Sequence, residues 1–156
     1  MDGETTLIDE TVDEARLAAV AVRFARALRP GDLVLLVGPL GAGKTAFVRE
    51  VAGALGVTDP VRSPSFTIAN VYAGPVPVHH LDLYRVEDLA DEDALDLEEY
   101  VSPEAVTLVE WPDAGMDRLG PAGWVVQLEH VDPSTRRLRV LAAGPDQVTR
   151  WQASDA

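Results

Sequence analysis

The chain contains no cysteine, which excludes disulfide bridges, metal sites built on sulfur and catalysis by a thiol. Long apolar runs are also missing, since none approaches the roughly 20 residues that a membrane-spanning helix needs. Residues 1–4 include two acids and form no apolar signal core. From these absences we expect a cytoplasmic protein that works in a reducing compartment and has no membrane partner.

Positive charge is scarce. The 156 residues include 26 acids against 13 lysines and arginines, and the net charge is −13. Such a chain repels polyanions, so direct binding to nucleic acid is not expected. The stretch from Asp82 to Asp113 holds twelve carboxylates and one basic residue, Arg85. A solvated acidic face is the ordinary interpretation of this stretch, and a docking surface for a basic partner is the alternative.

Lysine occurs once, as Lys44, within a glycine-rich stretch from Gly38 to Thr45 that fits the phosphate-binding loop pattern G-x-x-x-x-G-K-[ST]. An unbroken apolar run, Leu33 to Val37, precedes the stretch and is typical of a buried strand. Apolar residues at helical spacing follow it, and Gly56 is placed to end that helix. Strand, loop and helix in this order are the context in which the pattern binds phosphate.

The chemistry of the loop follows from its residue types. Glycines let successive backbone N–H groups point into one concavity, and the N-terminus of the next helix adds positive potential. Lys44 is expected to reach the β- and γ-phosphates, and the Thr45 hydroxyl to hold Mg²⁺. Without a second lysine the chain cannot form the guanine-specifying N-K-x-D motif, so ATP is preferred over GTP. The predicted nucleotide contacts in the loop are Gly38, Leu40, Gly41, Ala42, Gly43, Lys44 and Thr45.

The pattern of apolar residues predicts the other elements. We expect a helix from about Val12 to Leu28, with Thr11 to Glu14 as its capping box, and an acidic helix from Asp88 to Tyr100. No regular pattern is visible after Gly144. The predicted strands are residues 33–37, 68–72, 78–84, 105–109, 124–129 and 137–141, with hairpins joining the second to the third and the fifth to the sixth.

These elements predict an α/β fold, a three-layer P-loop NTPase-like sandwich whose central sheet is largely parallel and carries antiparallel hairpins. We expect a single P-loop ATPase domain over residues 1–144 and a flexible tail over residues 145–156. Ligands of such sheets bind at the carboxyl ends of the strands, so Lys44, Asp82 and Glu110 should lie near one another.

Two strand-end carboxylates are candidates for catalysis and metal binding. Glu110 closes the apolar run from Ala105 to Val109, as a Walker-B acid does. Asp82 is the second candidate, either as a metal ligand or as the group that orients the attacking water. Alternation along its strand puts His80 on the same side, and we expect His80 to be a hydrogen-bonded structural residue. The expected catalytic residues are Lys44, Asp82 and Glu110, and the expected metal ligands are Thr45, Asp82 and Glu110.

Four motifs occur along the chain: Gly41-Ala42-Gly43-Lys44-Thr45, Ser63-Pro64-Ser65-Phe66-Thr67, His80-Leu81-Asp82-Leu83-Tyr84-Arg85 and Glu110-Trp111. Taken together, they resemble the TsaE family, the small P-loop ATPases of bacterial tRNA threonylcarbamoyladenosine biosynthesis. Their order and spacing match over roughly residues 11–141, and the last two motifs are more specific to the family than the phosphate loop is.

The resemblance implies an ATPase that works with TsaD and TsaB type proteins. Those partners transfer a threonylcarbamoyl group to an adenosine beside the tRNA anticodon, and ATP hydrolysis permits repeated turnover. The acidic chain would then meet tRNA only through its partners. ATP and Mg²⁺ are the implied cofactors.

The resemblance also carries residue roles onto this sequence. Thr11 has a second explanation, because it also fits the helix cap. Ala46 is a departure, since many relatives have a second threonine there, and Ser65 stands where threonine is usual. The positions that match the family's nucleotide and metal contacts are Thr11, Thr45, Asp82, Glu110 and Arg136.

Two other functions stay open at this point. A P-loop small-molecule kinase would transfer phosphate to an acceptor rather than to water, although no segment obviously builds a substrate lid. A nucleotide-gated binding module would depend on ATP occupancy rather than on hydrolysis. It would keep its output without Asp82 or Glu110.

Overall fold

The computed structural model describes residues 4–39, 41–61, 69–83, 99–110 and 122–155. The predictions for Leu40, residues 63–67, most of the acidic helix and Trp111 lie outside these residues. Within them the strands are β1 (Thr5–Val12), β2 (Leu33–Val37), β3 (Ala69–Tyr72), β4 (Val78–Asp82), β5 (Val106–Glu110), β6 (Trp124–Asp132) and β7 (Thr135–Ala142), and the helices are α1 (Glu14–Ala27), α2 (Lys44–Ala54) and α3 (Pro145–Ala153).

In the described part of the chain, all seven strands belong to one sheet with the spatial order β1-β7-β6-β2-β5-β4-β3. The four strands β4, β5, β2 and β6 run parallel. The remaining pairs, β3 with β4, β6 with β7 and β7 with β1, are antiparallel. The predicted α/β fold with a largely parallel centre and two hairpins is therefore confirmed.

The central strands are buried because apolar residues face both sides of the sheet. Leu33 to Leu36 are all buried in β2, and every residue of β5 is buried. The packing of α1, α2 and α3 covers one face, where the Phe24 ring meets Trp124 edge-on at 5.2 Å and Phe47 at 5.7 Å. The opposite face carries a second apolar cluster of Leu33, Leu35, Leu81, Leu83 and Val109.

The start of α1 differs from the prediction. Asp13, not Thr11, is the N-cap, and its side chain accepts a hydrogen bond from the Arg16 amide at 2.8 Å. Thr11 lies instead in β1, opposite Arg137 of β7. The capping box prediction is therefore wrong, because pairing with β7 holds the backbone of Thr11 in an extended conformation.

Strand β1 was not predicted, because its polar residues mask the alternation that marks an edge strand. Its pairing with β7 is reinforced by charge: Arg137 donates two hydrogen bonds of 3.0 Å to the Asp9 carboxylate. This guanidinium lowers the pKa of Asp9 below its usual value. Arg137 of β7 thus ties the edge strand to its neighbour.

The segment after Gly144 also differs from the prediction. Pro145–Ala153 forms α3, so the expected flexible tail is wrong for these residues. Arg150 is buried and forms a salt bridge of 2.7 Å with Asp32. Trp151 is 5% exposed, and the Arg23 guanidinium stacks over its ring at 3.8 Å. Few apolar residues mark this helix, so its periodicity is weak in the sequence.

None of the helices described here combines the length and the apolar character needed to cross a membrane.

Replacing Trp151 with alanine should lower the free energy of unfolding by about 3–5 kcal/mol, because a large buried side chain leaves a cavity beside α1. Urea denaturation followed by circular dichroism measures this change. Gln152→Ala is the matched control, since Gln152 is exposed on the same helix, and its effect should stay within about 0.5 kcal/mol. Equal stability of the two variants would show that α3 contributes little to the fold.

Gly38→Ala should destabilise the protein by about 1–3 kcal/mol, because there is no room for a side chain between β2 and β6. A Cβ at Gly38 would lie 2.3 Å from the carbonyl oxygen of Leu128. Gly53→Ala is the control within α2, where a Cβ meets nothing within 4 Å. That change should stabilise by about 0.5–1 kcal/mol. Thermal and urea unfolding of both variants test the pair, and a Gly38→Ala protein with wild-type stability would contradict it.

Candidate nucleotide-binding site

The glycine-rich loop connects the end of β2 to the first turn of α2. Gly41 and Gly43 have φ angles of +78° and +105°, a left-handed conformation that favours glycine. Gly43 is the N-cap of α2, and the Ala42 amide donates to the Pro39 carbonyl at 3.1 Å. These glycines turn the chain so that the helix begins directly at Lys44.

The N-terminus of α2 is suited to an anion. The first N–H groups of a helix have no acceptor within it, and the peptide dipoles give this end a partial positive charge. Gly43 has no side chain that could cap these groups. Phosphate oxygens are the acceptors that such a loop and helix start commonly bind.

Lys44 lies over the loop, and 5% of the residue is exposed. Its Nζ donates to the carbonyl oxygens of Gly38 and Pro39. Burial lowers the pKa of Lys44 below its usual value, and the negative charges of Glu110 and Asp82 partly oppose this. The ammonium group is thus close to both predicted carboxylates.

Glu110 is the centre of the polar contacts at the strand ends. It is 3% exposed and lies in register with Asp82 of β4 and with Leu36 of β2. The Thr45 hydroxyl donates to its two carboxylate oxygens at 3.1 and 3.0 Å. The Nε2 of His80 donates to its Oε2 atom. The loop, β4 and β5 therefore converge on one carboxylate.

A cavity of about 560 Å³ adjoins the loop. Its walls come from the end of β1, the first turn of α1, the start of α2 and the turn between β6 and β7. Arg136 lines it, held by hydrogen bonds of 2.9 Å to the carbonyls of Asp132 and Thr135. The lining residues are Val12, Asp13, Glu14, Ala15, Leu17, Gly43, Ala46, Pro133, Ser134 and Arg136.

The structure brings most of the predicted site residues together. Lys44, Thr45 and the two carboxylates meet at the end of the parallel strands, as expected from their positions. Arg136 reaches the neighbouring cavity, whereas Thr11 is exposed in β1 and its neighbour Val12 lines the cavity instead. Leu40 lies outside the described residues.

Two histidines near the site were not predicted to be part of it. The hydrogen bond expected for His80 exists, but its partner is Glu110. Alternation along β4, which puts His80 on the same side as Asp82, was the signal for this. The His130 ring lies beside the loop, with Cε1 3.9 Å from the position of a Cβ on Gly41.

The donor set at the strand ends fits magnesium. A hydroxyl and carboxylates are hard oxygen ligands, and Mg²⁺ is usually held by one or two carboxylates together with phosphates and water. No group of three or more His, Cys, Asp or Glu side chains suited to a metal occurs in the described part of the chain. The arrangement therefore fits a cation that shares its ligands with a nucleotide rather than one held by the protein alone.

Comparisons with known proteins give matches to a single family. The family model described as "Threonylcarbamoyl adenosine biosynthesis protein TsaE" matches residues 11–138. The chain is 36% identical over 135 residues to the tRNA threonylcarbamoyladenosine biosynthesis protein TsaE of Bacillus subtilis, which covers 86% of this chain and 84% of the relative. It is 34% identical over 152 residues to the protein of the same name from Mycobacterium tuberculosis strain H37Rv, with 91% and 88% covered.

The fold is similar to the crystal structure of YdiB from Bacillus subtilis. The TM-score is 0.80 and the sequence identity 28%, and the alignment covers 99% of this chain and 97% of that one. Together with the sequence matches over most of its length, this shows that the chain belongs to the TsaE family.

Proposed function

We propose that this chain is a magnesium-dependent ATP hydrolase that serves the formation of threonylcarbamoyladenosine in tRNA. The observation that carries the proposal is the convergence on Glu110. The Thr45 hydroxyl, the Asp82 strand end and the Lys44 ammonium all lie around this one buried carboxylate. Such a set of groups is what phosphoryl transfer to water requires.

The loop would hold the triphosphate. Backbone N–H groups at the start of α2 would donate to phosphate oxygens, and the Lys44 ammonium would move from the carbonyls of Gly38 and Pro39 to the β- and γ-phosphates. A nearby phosphate would favour the charged form of Lys44, whose pKa is lowered by burial. Phosphate binding would thus compensate the cost of burying this charge.

The Thr45 hydroxyl and Glu110, with Asp82 beside them, are the groups that would hold Mg²⁺. When bound, this ion neutralises charge on the phosphate oxygens. Either Asp82 or Glu110 would also orient the attacking water by accepting its hydrogen bond. Asp82 and Glu110 are directly paired in β4 and β5, so both lie at the same edge of the sheet.

The cavity beside the loop would hold the nucleoside part of ATP. Its volume of about 560 Å³ falls in the range of small-molecule sites, and Gly43 and Ala46 connect it to the loop. Ala46 contributes a methyl group where many TsaE relatives have a threonine hydroxyl. Arg136 brings a positive charge to the lining of this cavity.

The pathway role rests on the relatives, which are named as tRNA threonylcarbamoyladenosine biosynthesis proteins. With a net charge of −13, the chain would not bind tRNA on its own. We therefore propose that it acts with TsaD and TsaB type proteins, which would contact the tRNA. Its turnover should be slow alone, because an arginine finger supplied by a partner would accelerate the hydrolysis.

Lys44→Ala should abolish ATP hydrolysis, with a loss of at least about 100-fold, because it removes the charge that stabilises the transferring phosphate. Phosphate release is measured with Mg²⁺, with and without the TsaD–TsaB pair, and the wild-type rate should rise with the pair. Arg49→Ala is the matched control, since Arg49 is an exposed basic residue on the same helix. It should keep the wild-type rate.

Three outcomes would contradict the proposal. Wild-type protein that shows no hydrolysis with the partners would exclude the activity. Fast hydrolysis whose rate does not change when the TsaD–TsaB pair is added would exclude the proposed role. Transfer of the labelled phosphate to an acceptor rather than to water would identify a kinase instead.

A further inference from the structure

His80 is a buried residue of β4 that contacts Glu110 at the candidate site. Its side chain is fully buried in β4, and its Nε2 donates to Oε2 of Glu110. The two oxygens of the same carboxylate accept hydrogen bonds from the Thr45 hydroxyl at 3.1 and 3.0 Å. His80 thus contacts Glu110 from the sheet, while Thr45 contacts it from the loop.

A structural role alone does not account for this histidine. Its Nδ1 atom is buried and has no hydrogen-bond partner among the described residues. An unsatisfied buried polar atom costs about 1–3 kcal/mol, and an apolar side chain of similar size would avoid that cost. The other ring nitrogen, Nε2, donates to Glu110. We therefore look for the role of His80 in this hydrogen bond.

The neighbours of His80 fix the direction of its ring. The Tyr72 ring of β3 stacks on it with centroids 6.4 Å apart and an interplanar angle of 28°. Tyr72 is buried, and its hydroxyl accepts a hydrogen bond of 3.2 Å from Asn70. The Tyr72 ring therefore packs over a face of the imidazole, whereas Glu110 accepts a hydrogen bond at its edge.

We propose that His80 is a positioning residue for Glu110, an inference that rests on the function proposed above. The last torsion of a glutamate side chain has broad energy minima, so its carboxylate can adopt a wide range of orientations. Hydrogen bonds from His80 and Thr45 together restrict that rotation and hold the carboxylate beside Asp82. His80 thereby prepares Glu110 to hold the magnesium ion or the attacking water, as outer groups around metal ligands do.

His80→Leu removes the donor and should lower kcat for ATP hydrolysis by about 10- to 100-fold, the usual effect of losing such a partner. The Mg²⁺ concentration at half-maximal rate should rise, whereas the affinity for ATP without metal should stay within about twofold, since the hydrogen bond from His80 goes to Glu110 and not to the loop. His80→Gln keeps an N–H at the same reach and should recover the rate to within about threefold of wild type.

His79 offers a matched control on the same strand. Its side chain lies on the other side of β4, where Nδ1 donates to the Tyr100 carbonyl. His79→Leu should therefore keep the kcat and the Mg²⁺ dependence of the wild type. Equal kinetic losses in the His79 and His80 variants would overturn the proposal, because they would indicate a general effect on the strand.

A measurement without nucleotide or metal tests the contact itself. In ¹⁵N-histidine-labelled protein, the His80 ring should carry a proton on Nε2, and Glu110→Ala should shift that signal. A ring protonated only on Nδ1, or no response to Glu110→Ala, would overturn the proposal even if His80→Leu fails to fold. Wild-type protein without ATPase activity would refute the proposed function, whereas active wild type with an equally active His80→Leu variant would refute only this inference.

Discussion

The site depends on the parallel pairing of β4, β5 and β2. Parallel strands end at the same edge of a sheet, so the residues that close them become neighbours whatever their distance in sequence. Asp82 and Glu110 are paired directly, and Glu110 is also paired with Leu36, just before the loop. A slip of one residue in either register would turn the carboxylates to the other face of the sheet.

Hydrogen bonds explain how charges can be buried in the site. Lys44 and Glu110 are each 5% exposed or less, and an isolated buried charge is strongly unfavourable. Glu110 is stabilised by hydrogen bonds from Thr45 and His80, and Lys44 by the carbonyls of Gly38 and Pro39. The low exposure strengthens the electrostatic effect that these groups would have on a bound phosphate.

At the borders of the fold, ion pairs join neighbouring elements of secondary structure. Arg137 and Asp9 join β7 to the edge strand β1, and Arg150 and Asp32 join α3 to the start of β2. The first pair is exposed and contributes little stability, whereas the second is nearly buried and limits where α3 can pack. In a chain with twice as many acids as basic residues, these two arginines thus have structural partners.

The amino-acid sequence by itself determined the loop, the central strands and the acids at their ends, since each has a strong local pattern. Apolar runs of five residues, such as Leu33 to Val37, form strands wherever both faces are covered, and Gly41 and Gly43 allow the turn into α2. Only the tertiary structure decided the place of β1, α3 and His80. Thr11 is extended because it pairs with β7, the position of α3 is set by contacts such as the Arg150–Asp32 ion pair, and His80 reaches Glu110 because β4 pairs with β5. These depend on contacts between distant residues, which a local pattern does not contain.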